Sequence, residues 1–133
     1  MTKPQLFTCM AFADADAAIE FLTALGFAEV LVVRDPDDPA TVVHAQFRWR
    51  DNGGLMFGSV RPDDELGFAQ EPGLGRCNLV VASDEEVDAT LARAVAAGAT
   101  VVQEPHHPPH GGRSTAVRDP EGNLWNIDSY PGE

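Results

Sequence analysis

Two halves of this chain follow one pattern, and a repeat restricts the fold more tightly than any compositional total. The segment DADAAIEFLTALGFAEV (14–30) sets Ile19, Leu22 and Leu25 on one helical face with Phe21 beside them, and Gly26 stands where a helix stops. The segment DEEVDATLARAVAAGATVV (84–102) does the same with Val87, Leu91, Ala94 and Val95, and Gly98 is its stop. Each helix follows an apolar strand-like run, LFTCMAF (6–12) or NLVVA (78–82). The later parts also match. WRDNGGLMFGS (49–59) and VRDPEGNLWNIDS (117–129) both carry Arg-Asp, a glycine-bearing turn, and Leu followed by Met56 or Trp125. Gly53-Gly54 reads as the hairpin turn of the first unit. Between helix and turn lie two more strand candidates per half: 28–35 and 41–49, then 100–105 and 113–119.

Each half therefore reads strand, helix, strand, strand, strand. The expected fold is α+β, one domain over 1–133 built from two βαβββ modules at about 4–60 and 76–130, with a Pro/Gly/Asp-rich linker at about 61–75. One helix cannot cover both faces of a four-stranded sheet. Each module leaves one face bare, and two such faces opposed, on sheets sharing an edge, would form a cleft or half-barrel. In the last strand, alternation sends Trp125 and Ile127 toward the helix and Leu124, Asn126 and Asp128 toward the cleft.

Composition serves mainly to exclude. The net charge is −12 and the arginines are scattered, which argues against nucleic acid and anionic membranes as partners. The apolar content of 44% rules out general disorder. No apolar run reaches spanning length and MTKPQLF lacks a signal-peptide core, so a soluble, cytoplasmic protein is expected. Cys9 and Cys77 lie inside apolar runs and read as small buried hydrophobes rather than a disulfide or a nucleophile. The serines have no GxSxG setting, and no glycine-rich loop suits a phosphate.

The two βαβββ units, the helix-ending ALGF (24–27) and the terminal DPEGNLWNI (119–127) resemble the vicinal oxygen chelate superfamily. That group includes glyoxalase I, extradiol dioxygenases, fosfomycin-modifying enzymes and drug-binding proteins of the bleomycin-resistance type. In its metal enzymes, His, Glu or Gln ligands stand near the start of each module's first strand and on each module's later strands. Carried over residue by residue, those places read Phe7, Gln46, Cys77 or Asn78, and Asn126. Phenylalanine cannot coordinate, and neutral amides hold a divalent ion poorly without carboxylate or imidazole. The resemblance therefore implies the metal-free, drug-binding group: no metal, no cofactor, and a homodimer that sequesters a small, partly aromatic molecule such as an antibiotic. The alternatives are an enzyme of the superfamily, using His44, Gln46 and Asn126 around an unusual metal or acid–base chemistry alone, and a passive interaction protein with a self-filled cleft.

Beside that resemblance, the expected ligand-binding residues are Phe7, His44, Gln46, Trp49, Asn78, His110, Asn126 and Asp128. Phe7 would supply an apolar wall. Trp49, ending a strand beside a turn, would stack on a flat ligand. His44 shares a face with Gln46 and reads equally as a cleft residue or a core-edge histidine. Asp128 could accept from a cationic ligand group, or lie at the surface near a strand end. The run His106-His107-Pro108-Pro109-His110 reads as a solvated loop at the cleft mouth rather than a metal cluster, because no carboxylate or cysteine stands at ligand spacing beside it.

Overall fold

The computed structural model describes residues 3–61 and 71–133. Its first module comprises β1 (Phe7–Phe12), α1 (Ala15–Leu25), β2 (Ala28–Arg34), β3 (Val42–Trp49) and β4 (Gly53–Ser59). Its second comprises β5 (Arg76–Val80), α2 (Asp84–Ala96), β6 (Thr100–His106), β7 (Ser114–Arg118) and β8 (Leu124–Asp128). The strand orders are β1-β4-β3-β2 and β5-β8-β7-β6, two four-stranded sheets with the same topology. In each, the first strand pairs parallel with the last and the other pairings are antiparallel. The α+β pair of βαβββ modules is thus present, and the sheets are not closed into a barrel. Most of the expected linker at 61–75 lies outside the described residues.

Local chemistry explains the helix limits. Asp14 caps α1, accepting from the Ala17 N–H at 3.0 Å, and Ser83 caps α2, accepting from the Glu86 N–H at 3.3 Å. Gly26 (φ 121°) and Gly98 (φ 104°) end the helices in a region that ordinary side chains avoid. The second module also holds both ends of α1. The Glu121 carboxylate accepts from the N–H groups of Ala13 and Asp14 at 2.7 and 2.9 Å. At the other end, Arg93 donates to the carbonyls of Ala24 and Leu25 at 3.0 and 3.3 Å. An acid at the helix start and a base at its end complement the helix dipole.

The helix sides of both sheets feed one main core, and Trp49 packs between it and a smaller cluster of Val81, Val87 and Ile127 in the second module. Met10, Phe12, Leu22, Leu25, Phe47, Leu55 and Phe57 from the first module pack in a cluster with Leu79, Ala94, Val117 and Trp125 from the second. The open faces are left outside that core. Trp125 and Ile127 are fully buried on the helix side, as the alternation requires. The terminal turn has its own polar frame. The buried Asp119 carboxylate accepts from the backbone N–H groups of Glu121 and Asn123, from Asn123 Nδ2 and from Trp125 Nε1, all at 2.9–3.0 Å. Asn123 Oδ1 in turn accepts from the Gly75 N–H at 2.8 Å. Each of these buried groups is satisfied, which is why Asp119 and Asn123 can be buried beside Trp125.

Three expectations fail here. Gly53-Gly54 is not the turn; it opens β4, and the turn is formed by residues 50–52. A Cβ on Gly54 would come within 2.5 Å of the Phe7 ring, so this glycine serves close approach rather than reversal. The sequence match of Leu55 with Leu124 is one residue out. Leu55 is buried on the helix side, whereas Leu124 lies on the open face, so the counterpart of Leu55 is Trp125. A slip of one residue exchanges faces. Cys9 is exposed on the open face of β1, because the helix-side positions there belong to Met10 and Phe12.

Candidate functional site

A concavity of about 360 Å³ lies over the open face of the second sheet. Strand register arranges that face in transverse rungs. Asn78, Asn126, Ala116 and Gln103 stand side by side across β5, β8, β7 and β6. Two residues along on β5, β8 and β7, and three on β6 where the register shifts, come Arg76, Leu124, Arg118 and Thr100 one way, and Val80, Asp128, Ser114 and His106 the other. Same-face neighbours along a strand are about 6.6 Å apart, so this is a short, stepped surface. Pro108, His110 and Tyr130 wall the concavity on one side, with the His110 and Tyr130 rings 4.9 Å apart, edge to face.

The polar groups on this face are idle. Among the described residues, the Arg76 guanidinium, the Asn78, Gln103 and Asn126 amides and the Asp128 carboxylate have no hydrogen-bond partner. Asp128 is nevertheless only 8% exposed. No described side-chain nitrogen or oxygen is both cut off from solvent and unpaired, so the carboxylate meets solvent through the concavity. Of the two readings of Asp128, the surface one therefore fails: the residue is buried and opens into the hollow.

The other expected residues are divided. Asn78, His110, Asn126 and Asp128 line this concavity together. Phe7, His44 and Gln46 stand on the open face of the first sheet and do not line it. Among the described residues neither His44 nor Gln46 makes a side-chain hydrogen bond. Trp49 is placed elsewhere, and the expectation that it reaches a ligand from the open side is corrected. Its indole packs 5.0 Å from the Phe27 ring on the helix side, and its Nε1 donates to the Val80 carbonyl at 2.9 Å. The strand-end position left the face undecided, and alternation from the buried Phe47 decides it.

The sequence reading missed Arg76, Gln103, Ser114 and Tyr130. Counting back from the helix caps would have found the first. Phe7 and Arg76 stand the same number of residues ahead of Asp14 and Ser83, so the counterpart of Phe7 is Arg76, not Cys77 or Asn78. Cys77 faces the helix side beside Trp125, where burial pushes its thiol up to about 11. It is a poor nucleophile and ligand at neutral pH.

The donor set does not fit a catalytic divalent ion. By the same count Met56 answers Asn126, so the places read Phe7, Gln46 or Met56, Arg76 and Asn126, with no carboxylate or imidazole among them. Among the described residues, no three His, Cys, Asp or Glu side chains converge to hold a metal. The histidine loop is engaged otherwise. His107 Nδ1 lies 3.0 Å from the Gly112 carbonyl, and Arg113 clasps Asp88 at 2.9 and 3.1 Å. No helix among the described residues is long and apolar enough to cross a membrane.

Two βαβββ modules joined through their helix sides, each with a bare sheet face, define a class of cleft-forming α+β proteins. The chain belongs to the Glyoxalase/Bleomycin resistance protein/Dioxygenase superfamily, whose family model matches residues 6–127. Solved structures agree. TioX from Micromonospora sp. ML1 is 28% identical, with a TM-score of 0.72 over 92% of this chain and 95% of that one. A glyoxalase-related enzyme from Fulvimarina pelagi is 26% identical, with a TM-score of 0.73 over 94% and 86%. Lactoylglutathione lyase from Agrobacterium tumefaciens, 22% identical with a TM-score of 0.65 over 92% and 90%, shares the fold. No curated protein sequence matches significantly.

Proposed function

We propose that the protein binds a small, partly aromatic molecule such as an antibiotic, without metal, and acts by sequestering it. The observation that carries this reading is the hollow over the second sheet, where buried Asp128 and the Asn78 and Asn126 amides lack partners among the described residues. Polar groups left idle on a concave surface are what a ligand completes. The working form is a homodimer. The first sheet's open face exposes Leu31 and Val33 at 46% and 42%, the register partners of Gln46 and His44. Laid over the second sheet of another copy, it would bring Phe7, His44 and Gln46 opposite Asn78, His110, Asn126 and Asp128. The cleft then has one apolar wall and one polar wall.

The same assembly supports a second reading, an enzyme in which His44, Gln46 and Asn126 converge across the dimer for atypical metal or acid–base chemistry. The observation in its favour is that His44 has no side-chain partner among the described residues. A thermal-shift screen against antibiotics and divalent metals separates the two. A ligand at a hundred times its Kd adds about 2.7 kcal/mol of stability. Stabilisation by an organic compound, weakened in Asn126→Ala while the free protein's melting point holds, supports sequestration. Stabilisation by a metal, reversed by a chelator, supports the enzyme.

A further inference from the structure

We infer that the hollow over the second sheet selects a short, extended, peptide-like molecule with a negative group at one end and a positive group at the other. The inference rests on the binding role proposed above and narrows it to a ligand class. Its basis is the order of the three rungs. Arg76 stands on the first, the amides of Asn78, Asn126 and Gln103 on the second, and Asp128 on the third. The face is a dipole with a neutral middle.

Arg76 is free to act at the positive end. Among the described arginines, it alone lacks a hydrogen-bond acceptor; Arg34, Arg48, Arg50, Arg61, Arg93, Arg113 and Arg118 each donate to one. An exposed guanidinium with a planar fork suits a carboxylate. Asp128 supplies the other end. It is more than nine-tenths buried, lines the hollow and has no donor among the described residues. A carboxylate that meets solvent only through the hollow is placed to take a cation or a strong donor from whatever fills it. Between them, three amides offer donors and acceptors together, the same pair of functions that a peptide group presents.

The spacing sets the length. Arg76 and Asp128 lie four residues apart along paired strands, about 13 Å at the rise of a β-strand. An extended peptide advances about 3.3–3.6 Å per residue, so a chain of three to four residues places its free termini over the two charges. A hollow of about 360 Å³ admits a molecule of that scale and not a folded protein. The orientation follows from charge: carboxylate toward Arg76, ammonium toward Asp128.

The test uses tetra-alanine with free termini, its N-acetylated form and its C-amidated form, titrated calorimetrically into the full-length protein and into Arg76→Gln and Asp128→Asn. Neither variant breaks a side-chain hydrogen bond among the described residues, and circular dichroism melts check that both fold. The expected result is that acetylation and amidation each weaken binding about tenfold, the scale of one charge-assisted contact. In Arg76→Gln the amidation penalty disappears and the acetylation penalty stays; in Asp128→Asn the reverse holds. An amidation penalty that persists in Arg76→Gln overturns the inference. So does failure of all three peptides while an antibiotic from the screen still loses affinity in Asn126→Ala, an outcome that leaves the binding reading standing. If no compound of either kind depends on Asn126, both fall.

Discussion

The two sheets have the same order and pairing, yet their open faces differ in chemistry, the first more apolar and the second more polar. The middle rung of the first sheet is Cys9, Met56, Gln46 and Leu31; that of the second is Asn78, Asn126, Ala116 and Gln103. Where the first sheet begins with Phe7 over Gly54, the second begins with Arg76 beside Leu124. Helix-side positions show no such divergence: Met10 and Phe12 answer Leu79 and Val81, all buried. The difference teaches where each constraint acts. Both helix sides share one core and must stay apolar. Each open face is released from that demand, so its residues report on what covers it. A half-exposed apolar face and a polar, hollowed one are complementary surfaces.

The largest expected effect tests the part that the modules share. Trp125→Ala removes the largest fully buried side chain, which contacts the Phe21 and Phe27 rings, and takes one donor away from the Asp119 carboxylate. It should cost about 3–5 kcal/mol in chemical denaturation. Because the core is common, both modules should unfold in one transition. Separate transitions for the two sheets would break the picture of a shared core.

Next in size is a change on the apolar face. Leu31→Glu with Val33→Glu puts two charges on a surface that the dimer would bury. Sedimentation should show a dissociation constant raised about a hundredfold or more, since a buried unpaired charge costs several kcal/mol. Ligand affinity should fall with it, while the monomer stays folded. A charged monomer that still binds at full strength would mean that the polar hollow works alone and the two faces have no relation.

Much of this architecture was legible because it depends on local rules. The apolar spacing marked both helices, Gly26 and Gly98 read as their stops, and the alternation through Trp125 and Ile127 fixed the facing of β8. The site was legible only in part, because a face is decided by parity and parity is lost wherever a turn length is miscounted. The turn in the second unit, spanning 119–123, is two residues longer than that at 50–52. Matching leucine to leucine across it therefore set Leu55 against an open-face residue. The same uncertainty hid Arg76 behind Cys77 and Asn78. Trp49 was misplaced for another reason. Its strand-end position was weighed above the alternation that sets it opposite Gln46, and its partner, the Val80 carbonyl of the other module, is a tertiary contact.

A smaller effect probes the stacked start of the first sheet. Gly54→Ala drives a Cβ into the Phe7 ring and should cost about 1–3 kcal/mol by overpacking. Phe7→Ala in the same chain should restore most of that loss, a coupling that a double-mutant cycle measures. Additive losses would show that a neighbour other than the ring, the Pro4 side chain first among them, refuses the methyl group. The equivalent change on the second sheet, Leu124→Ala beside the flexible Arg76 side chain, has no such partner and should show no coupling.

The smallest effect leaves stability untouched and reads the two faces directly through their cysteines. Cys9 is exposed on the open face of β1, whereas Cys77 is half-buried on the helix side of β5. Burial raises the Cys77 thiol to about 11, so below that pH it is mostly protonated and unreactive. A maleimide at neutral pH should therefore label Cys9 and spare Cys77. Labelling of Cys77 should increase only as the pH is raised toward 11, provided the fold persists. Dilution supplies the sharper measurement. If the first sheet's open face is covered by a second copy, Cys9 should be slow to react at high protein concentration. It should react faster as the dimer dissociates, and the Leu31→Glu, Val33→Glu chain should react at the fast rate throughout. A Cys9 rate that is independent of concentration in a protein that sediments as a dimer would place the dimer contact elsewhere. The apolar face would then need a different cover.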